Sequence, residues 1–299
     1  MSHATSGVTV RSNRDNDDSW ERQMAADILG YAGKRVVVMG CFSGTGEACA
    51  RQLVALGAEV HGADIRPSPV AGLASFTQVD LKDAASIEAG VAGIGGEIDA
   101  LFNISGLPQT FPGEDVVTVN FLGIRHWTHA WLPRIRAGGA IVTVSSLGGM
   151  NYLARQPLLA EFMGNADIAA GRAWYLANAA TAGDPYTLSK EAVNTWTQQS
   201  APALMARNIR INCTMPSPID TPMLDDFRKV AGDAVLGAFA KAKGRFSTPE
   251  EQALPLILLN SDAASFVSGV CLAVDAGLSG GLATGALNMQ QMLAEAAAG

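Results

Sequence analysis

Short apolar runs that alternate with helical stretches are the feature that most constrains the fold of this chain. The run Arg35–Met39 has the character of a buried strand, and a helical stretch from Glu47 to Leu56 follows it. Repeated alternation of this kind predicts a parallel sheet with helices on both faces, a doubly wound α/β fold in three layers. The predicted strands cover residues 35–39, 59–63, 75–79, 100–103, 140–145, 209–213 and 270–274, and further helices cover 116–132 and 185–205.

The 299-residue chain is predicted to form a single domain from residue 34 to residue 280. Hydrophobic residues make up 48% of the chain and charged residues 16%, a balance typical of globular proteins. Residues 1–33 are predicted to be a partly disordered N-terminal extension, with a short helix over residues 19–31. The alanine-rich residues 281–299 are predicted to be a C-terminal tail.

Composition and charge argue against several classes of function. The formal net charge of -7 does not suit a nucleic-acid binder, because phosphate contacts need clustered lysine and arginine. No apolar run approaches the roughly 18 residues of a membrane helix and no signal peptide is visible, so we expect no membrane contact and a cytoplasmic location. The four cysteines are scattered, and His126 and His129 lack partners in a metal-binding pattern. We therefore predict no metal site.

A glycine-rich turn follows the first predicted strand and opens the first helix. Gly40, Gly44 and Gly46 have the spacing G-x-x-x-G-x-G, with Ser43 and Thr45 between them. Glycines let the backbone approach a diphosphate, and the helix N-terminus meets that charge with free N–H groups. The spacing alone is a weak signal, but its position between a strand and a helix favours a dinucleotide site.

Residues at the ends of the following strands are placed to complete this site. Asp64 ends the second strand, where a carboxylate can accept hydrogen bonds from both adenosine ribose hydroxyls and repels a 2′-phosphate. Arg66 is the one nearby feature that favours NADP, and on balance the pattern predicts NAD. Ligands of open α/β sheets bind at the carboxyl ends of the strands, which places further contacts there. The additional predicted cofactor contacts are Ile65, Asp80, Leu81, Asn103 and Gly106.

A tyrosine and a lysine one helical turn apart form the candidate catalytic pair. Tyr186 and Lys190 are at positions i and i+4 of a helix for which Asp184 is the predicted N-cap. The ordinary pKa of a phenol is about 10, and a nearby ammonium or a positive nicotinamide ring favours the phenolate. Such a phenol can exchange a proton with an alcohol. The pair alone is a weak signal, which Ser146 after the fifth strand and Asn120 inside an apolar helix strengthen.

Together and in this order, these motifs resemble the short-chain dehydrogenase/reductase family from about residue 34 to residue 280. The resemblance implies a single Rossmann-fold domain in which Tyr186 exchanges the proton with the substrate oxygen. Lys190 would lower the pKa of that phenol and bind the nicotinamide ribose, Ser146 would hydrogen-bond the substrate oxygen, and Asn120 would hold a relay water. A homodimer or homotetramer is also implied. The nicotinamide carboxamide would contact Pro216, Ile219 and Thr221.

Residues 147–184 form an insertion before the catalytic tyrosine, where most relatives have about a dozen residues. This longer spacing resembles a subgroup that contains bacterial 3α-hydroxysteroid dehydrogenases and coniferyl-alcohol dehydrogenases. The resemblance implies a bulky, mostly apolar alcohol or ketone, such as a hydroxysteroid or an aryl alcohol. The insertion carries an apolar stripe that includes Leu159 and Phe162. It could form a lid over the active site, cover a helix face that relatives use for subunit contact, or do both.

Two other functions compete with an NAD-dependent alcohol dehydrogenase or ketoreductase. Enoyl reductases of the family use a longer Tyr–Lys spacing, which counts against that reaction here. A non-catalytic NAD-binding sensor or scaffold is the alternative from a different class. Such proteins commonly lack the tyrosine or the lysine, whereas all four catalytic positions are occupied in this chain.

Overall fold

Within residues 27–240 and 243–298, which the computed structural model describes, seven parallel strands form one central sheet. Their order across the sheet is β3-β2-β1-β4-β5-β6-β7, so the crossover direction reverses between β1 and β4. The predicted doubly wound α/β fold is confirmed by this arrangement. The strands are β1 (Arg35–Met39), β2 (Glu59–Asp64), β3 (Ser75–Gln78), β4 (Ile98–Asn103), β5 (Ile135–Val144), β6 (Arg210–Pro216) and β7 (Cys271–Val274).

Helices cover both faces of the sheet. None of those in the described ranges combines the length and the apolar character that a membrane-spanning helix needs. They are α1 (Gly44–Ala55), α2 (Ala84–Ile94), α3 (Gly113–Val117), α4 (Ile124–Trp131), α5 (Gln156–Met163), α6 (Ile168–Ala182), α7 (Pro185–Met205), α8 (Met223–Ala231), α9 (Asp233–Ala240), α10 (Pro249–Asn260), α11 (Leu278–Ala283) and α12 (Met289–Ala298).

The alternation of side chains along the strands divides the core into two layers. Val36 and Val38 of β1 are buried in the layer that contains apolar residues of α1 and α10. Val37 and Met39 are buried in the opposite layer, with apolar residues of α2, α4 and α7. Because β1 is buried on both faces, it has the continuous apolar character that the sequence analysis used to predict it.

The long helix predicted over residues 116–132 is interrupted in the structure. A π-helical segment, Thr118–Gly123, lies between α3 and α4. At Gly123 the backbone passes so close to the Leu81 carbonyl oxygen that a Cβ atom would collide with it. Segments of π-helix occur frequently at functional sites, and this one contains Asn120.

The insertion, residues 147–184, covers one face of α7. Its 3₁₀-helical start, Leu147–Arg155, and the two helices α5 and α6 pack against α7 and the π-helical segment. Arg125 of α4 donates hydrogen bonds to the Met163 carbonyl oxygen at 2.6 Å and the Asn165 carbonyl oxygen at 2.8 Å. Arg155 forms an ion pair with the buried Glu191 of α7 at 2.8 Å. The insertion is therefore fixed to the body of the domain at several points.

Buried residues lie beyond both predicted boundaries of the domain, Tyr31 before residue 34 and Met292 after residue 280. The predicted helix over residues 19–31 lies mostly outside the described residues, and its described end is a turn followed by the buried Tyr31. The hydroxyl of Tyr31 donates a hydrogen bond to the Ile257 carbonyl oxygen at 2.7 Å. The predicted boundary between domain and tail at residue 280 falls inside α11, and the second tail helix, α12, packs on α9. Apolar side chains at helical spacing, among them Met292, explain this packing.

Two leucine substitutions in the insertion test whether it is part of the hydrophobic core. Leu159 is fully buried and Leu176 is 60% exposed. We expect Leu159→Ala to lower the free energy of unfolding by about 2–5 kcal/mol, because it leaves a cavity in a packed layer. The matched Leu176→Ala should change it by less than about 0.5 kcal/mol. Urea unfolding of both variants measures this, and equal effects would contradict the packing described.

Candidate active site

A cavity of about 700 Å³ opens at the carboxyl ends of the strands. The ends of β1, β2, β5 and β6 reach its wall, as expected for a ligand site in an open α/β sheet. Most of the predicted site residues are brought together here. Those that line the cavity are Gly40, Ser43, Gly44, Thr45, Gly46, Asp64, Ile65, Asp80, Leu81, Gly106, Ser146, Tyr186, Lys190, Pro216, Ile219 and Thr221.

The glycine-rich turn forms a cradle at the N-terminus of α1. Gly40 has a φ of 96°, and a Cβ atom there would lie 2.5 Å from the Ser105 nitrogen. A Cβ atom at Gly46 would collide with the Gly40 carbonyl oxygen, so both positions require glycine. Within the described chain, the side chain of the N-cap residue Ser43 accepts no hydrogen bond from the first turn of α1. The free N–H groups of that turn therefore fit the diphosphate of a dinucleotide.

Asp64 is held in a fixed orientation at the rim of this cradle. Its two carboxylate oxygens accept hydrogen bonds from the backbone N–H groups of Phe42 at 3.0 Å and Arg66 at 3.1 Å. The guanidinium of Arg66 lies over the Phe42 ring, 3.8 Å from the centroid. This position matches a cation–π contact, so the nearby positive charge is engaged with an aromatic ring.

Lys190 is buried beneath the catalytic end of the cavity. Its ammonium donates a hydrogen bond to the Val144 carbonyl oxygen at 2.8 Å, and only 3% of the residue is exposed. Burial lowers the pKa of this ammonium from its ordinary 10.5 to about 8, while the Cys213 thiol acts in the opposite sense. The Lys190 ammonium therefore begins to lose its proton at mildly alkaline pH, near its pKa of about 8.

Tyr186 and Ser146 face each other at the floor of the cavity. The Ser146 hydroxyl oxygen accepts a hydrogen bond from the Gly148 backbone N–H at 3.1 Å, which leaves its own O–H to be donated. Burial raises the pKa of Tyr186 to about 12, the Ser146 hydroxyl lowers it, and the Asp184 carboxylate raises it. The predicted lowering by Lys190 does not outweigh burial, because that ammonium is bonded to Val144 and lies 5.5 Å from the centroid of the phenol ring.

The side chain of Asn120 is occupied by a neighbouring loop. Its amide oxygen accepts from the Leu107 backbone N–H at 2.6 Å, and its amide nitrogen donates to the Leu107 carbonyl oxygen at 2.9 Å. This pair of bonds fixes the loop after β4, where Gly106 lies beside Lys190. Both ends of the Asn120 side-chain amide are therefore engaged by this loop.

The prediction that Asn103 contacts the cofactor needs correction. Asn103 is 1% exposed and does not line the described cavity. Its amide nitrogen donates to the hydroxyl oxygens of Thr128 at 3.0 Å and Thr143 at 3.2 Å. The residue therefore joins β4 to α4 and β5 beneath the site, and its role is structural.

The segment after β6 closes one side of the cradle. Pro216 ends β6, and Ile219 and Thr221 follow it on the cavity wall. The Thr221 backbone N–H bonds the Ile219 carbonyl oxygen at 2.8 Å, which makes this turn compact. Thr221 also lies against the glycine-rich turn, since a Cβ atom at Gly44 would be 3.1 Å from its methyl carbon.

An apolar stripe on α8 and α9, which the sequence analysis did not identify, lines the cavity beside Tyr186. The stripe consists of residues spaced four apart, a signal that is visible in the sequence. Phe227 packs edge-on against Tyr186, with the ring centroids 5.4 Å apart. The members of the stripe are Met223, Phe227, Ala231, Val235 and Phe239.

The insertion takes no part in this wall. Of the fully described segment 147–184, only Leu147 and Gly148 line the cavity. Leu159, Phe162 and Tyr175 are instead buried in the core layer against α7. The expectation that the insertion forms a lid over the site is therefore not supported, and the insertion matches the alternative that it covers a helix face.

The pKa of Lys190 predicts a pH dependence of stability. Between about pH 8 and pH 10.5 the unfolded chain binds more protons at this position than the folded one, so stability rises with pH across this window. Below about pH 8 the full cost of the buried ammonium, on the order of 3 kcal/mol, is present. Lys190→Met removes this cost. The unfolding free energy of the variant relative to the wild type should thus be highest at pH 7 and fall by pH 10, whereas a constant difference would contradict the assignment.

Comparisons with known proteins agree with this geometry. Residues 34–158 match the family described as short chain dehydrogenase, and residues 173–279 match the one described as Enoyl-(Acyl carrier protein) reductase. Coniferyl-alcohol dehydrogenase of Pseudomonas sp. (strain HR199 / DSM 7063) is 34% identical over 247 residues, which cover 82% of this chain and 96% of that protein.

More distant relatives share the same architecture. The 3-alpha-hydroxysteroid dehydrogenase/carbonyl reductase of Comamonas testosteroni is 28% identical, over 81% of this chain and 95% of that protein. The crystal structure of the 3-alpha-hydroxysteroid dehydrogenase from Pseudomonas sp. B-0831 complexed with NADH has a TM-score of 0.71 at 24% identity, and it covers 85% of this chain and 100% of that one. The glycine cradle, the Tyr186–Lys190 pair and these matches along the chain lead to one conclusion: the protein belongs to the short-chain dehydrogenase/reductase family of oxidoreductases, which use a nicotinamide cofactor.

Proposed function

We propose that the protein transfers a hydride between NAD(H) and a bulky, mostly apolar secondary alcohol or its ketone. One observation carries this proposal: the phenol of Tyr186 and the hydroxyl of Ser146 lie on the floor of the cavity that also contains the glycine cradle. A substrate oxygen above this floor can reach both groups, while its carbon skeleton meets the apolar stripe on α8 and α9.

The side chains on the floor account for the movement of the proton. The Ser146 O–H, which faces the phenol of Tyr186, can be donated to the substrate oxygen, and Tyr186 takes the proton from an alcohol or gives it to a ketone. Lys190 provides a fixed positive charge 5.5 Å from the phenol ring centroid, which favours the phenolate as the proton leaves. When bound, the nicotinamide supplies or accepts the hydride. Gly40, Gly46 and the first turn of α1 would hold its diphosphate.

The proposal of NAD rather than NADP rests on Asp64. Its carboxylate is fixed by the Phe42 and Arg66 backbone N–H groups, and it would repel a 2′-phosphate. Arg66, the one nearby basic residue that could accept such a phosphate, is stacked on the Phe42 ring.

The proposed substrate class rests on the wall of the cavity and on the relatives. The cavity wall beside Tyr186 consists of the apolar stripe, which suits a hydrocarbon skeleton. The names of the relatives include dehydrogenases of coniferyl alcohol and of 3-alpha-hydroxysteroids, and a 30% identical protein of Sphingobium indicum is a 2,5-dichloro-2,5-cyclohexadiene-1,4-diol dehydrogenase. All of these are cyclic or aromatic alcohols, so we infer a hydroxysteroid or an aryl alcohol here.

Two alternatives remain as outcomes of the test. The description of the match over residues 173–279 names an enoyl reductase, but the four-residue step from Tyr186 to Lys190 favours an alcohol or ketone. A non-catalytic NAD-binding sensor is the second alternative. The expected homodimer or homotetramer and the expected cytoplasmic location stay predictions.

Tyr186→Phe tests the proposed chemistry. Purified protein is assayed with NAD and NADP against hydroxysteroids, aryl alcohols and aliphatic alcohols by nicotinamide absorbance. We expect kcat of the variant to fall by about 10²–10⁴-fold, the usual contribution of a general acid or base, while NAD binding persists. Tyr152→Phe is the matched control, because that hydroxyl lies in the insertion and contacts Gln198. Full activity of Tyr186→Phe would refute the mechanism, and an inactive wild type that binds NAD tightly would favour the sensor.

Asp64→Ala tests the proposed preference for NAD. A hydrogen bond to a charged group contributes about 1.5–3 kcal/mol, so its loss should lower kcat/KM with NAD by about tenfold or more. With NADP, kcat/KM should rise or stay level, because the repulsion of the 2′-phosphate is lost. Asp225→Ala, on the exposed side of α8, is the control. An unchanged ratio of the two kcat/KM values would contradict the assignment of Asp64.

A further inference from the structure

The C-terminal helix α12 packs against the outer side of the cavity wall. Met292 of α12 is only 6% exposed, although it lies close to the end of the chain. It forms one buried apolar cluster, here called the clamp, with three residues from separate parts of the chain. The clamp consists of Leu147, Ala238, Leu278 and Met292.

Helix α9 contributes to the clamp and to the cavity at the same time. Val235 and Leu236 line the cavity, whereas Ala238 is buried in the clamp. Phe239 lines the cavity and also packs against the clamp. Any movement of α12 away from α9 therefore alters the position of side chains that face the substrate.

The clamp also reaches the catalytic floor. Leu147 is the residue after Ser146. It lines the cavity and also belongs to the clamp, and only 8% of it is exposed. The clamp thus extends from the C-terminal helix to the apolar wall and to the residue after Ser146, while the Ser146 hydroxyl itself is held by the Gly148 backbone N–H. Met215, the neighbour of Pro216, packs against it as well.

Helix α9 depends on this support because it is short. It has eight residues and follows Gly232, whose φ of 79° breaks the path from α8. A helix of this length is not stable in water by itself, so its position is set by its packing partners. The N-terminus of α12 is capped by Asn288, whose side chain accepts a hydrogen bond from the Gln291 backbone N–H at 3.1 Å, and α12 and α9 hold each other in place by their packing.

We propose that the clamp sets the size of the substrates, with Met292 as a specificity-determining residue that holds α9 against the catalytic floor. This inference rests on the proposed function. A small alcohol needs only the floor formed by Ser146 and Tyr186, so it does not depend on α9. A bulky alcohol also needs the apolar wall, and its binding weakens when α9 loses its support.

Met292→Ala tests the clamp against Gln290→Ala, an exposed position on the same helix. The probes are two 3α-hydroxysteroids as bulky substrates and cyclohexanol as a small one, all of them secondary alcohols. For Met292→Ala we expect KM of the bulky substrates to rise about tenfold, which corresponds to about 1.4 kcal/mol. The values of kcat, and KM for cyclohexanol, should stay within about twofold. The separate variant Met292→Leu, which conserves the side-chain volume, should keep the wild-type KM for the bulky substrates.

Equal changes for small and bulky substrates, or no change for either, would overturn the role of the clamp. A wild type that oxidises none of the probes would instead overturn the proposed function, so the two failures are distinguishable. Hydrogen exchange in the wild-type protein covers the case in which Met292→Ala does not fold. Addition of NADH and a 3-ketosteroid should slow exchange in residues 289–295 as well as in 233–240. Slowing confined to residues 233–240 would also overturn the inference.

Discussion

The position of the buried ammonium of Lys190 determines the arrangement of the whole catalytic centre. Two hydrogen bonds join this residue to the end of β5: the ammonium donates to the Val144 carbonyl oxygen at 2.8 Å, and the Ser145 hydroxyl donates to the Lys190 carbonyl oxygen at 3.0 Å. The first bond places Tyr186, one turn earlier on α7, above the serine that follows Ser145. A buried charge is costly unless it is hydrogen-bonded, so the ammonium gives up its bond to Val144 only at a high free-energy cost.

Much of this frame could be predicted from the sequence, because the relevant signals are local. The run that became β1 and residues 139–143 of β5 are buried on both faces, and such runs are largely apolar. The predicted N-cap of α7 is confirmed, since the Asp184 side chain accepts from the Thr187 backbone N–H at 2.7 Å. The position of the glycine-rich turn directly after a strand favoured a ligand site over an ordinary turn, and Gly40 does line the cavity.

The rest could not be predicted because it depends on contacts between distant parts of the chain. Asn103 has the right place in the sequence for a cofactor contact, but Thr128 and Thr143 turn its side chain beneath the site. The four-residue spacing of the apolar stripe is visible in the sequence, but the way α8 and α9 fold onto the cavity on either side of Gly232 is not. The tail was predicted from its alanine content alone, which does not reveal that Met292 has a buried partner.

The bare N-terminus of α1 has a consequence beyond the site itself. Ser43 offers its helix no side-chain cap, although serine is among the best capping residues. The chain thus gives up roughly 1 kcal/mol of helix stability and keeps N–H donors that a dinucleotide diphosphate can satisfy. A ligand that binds only the folded state stabilises it in proportion to the logarithm of its concentration. The resistance of this protein to unfolding should therefore rise with the concentration of its cofactor.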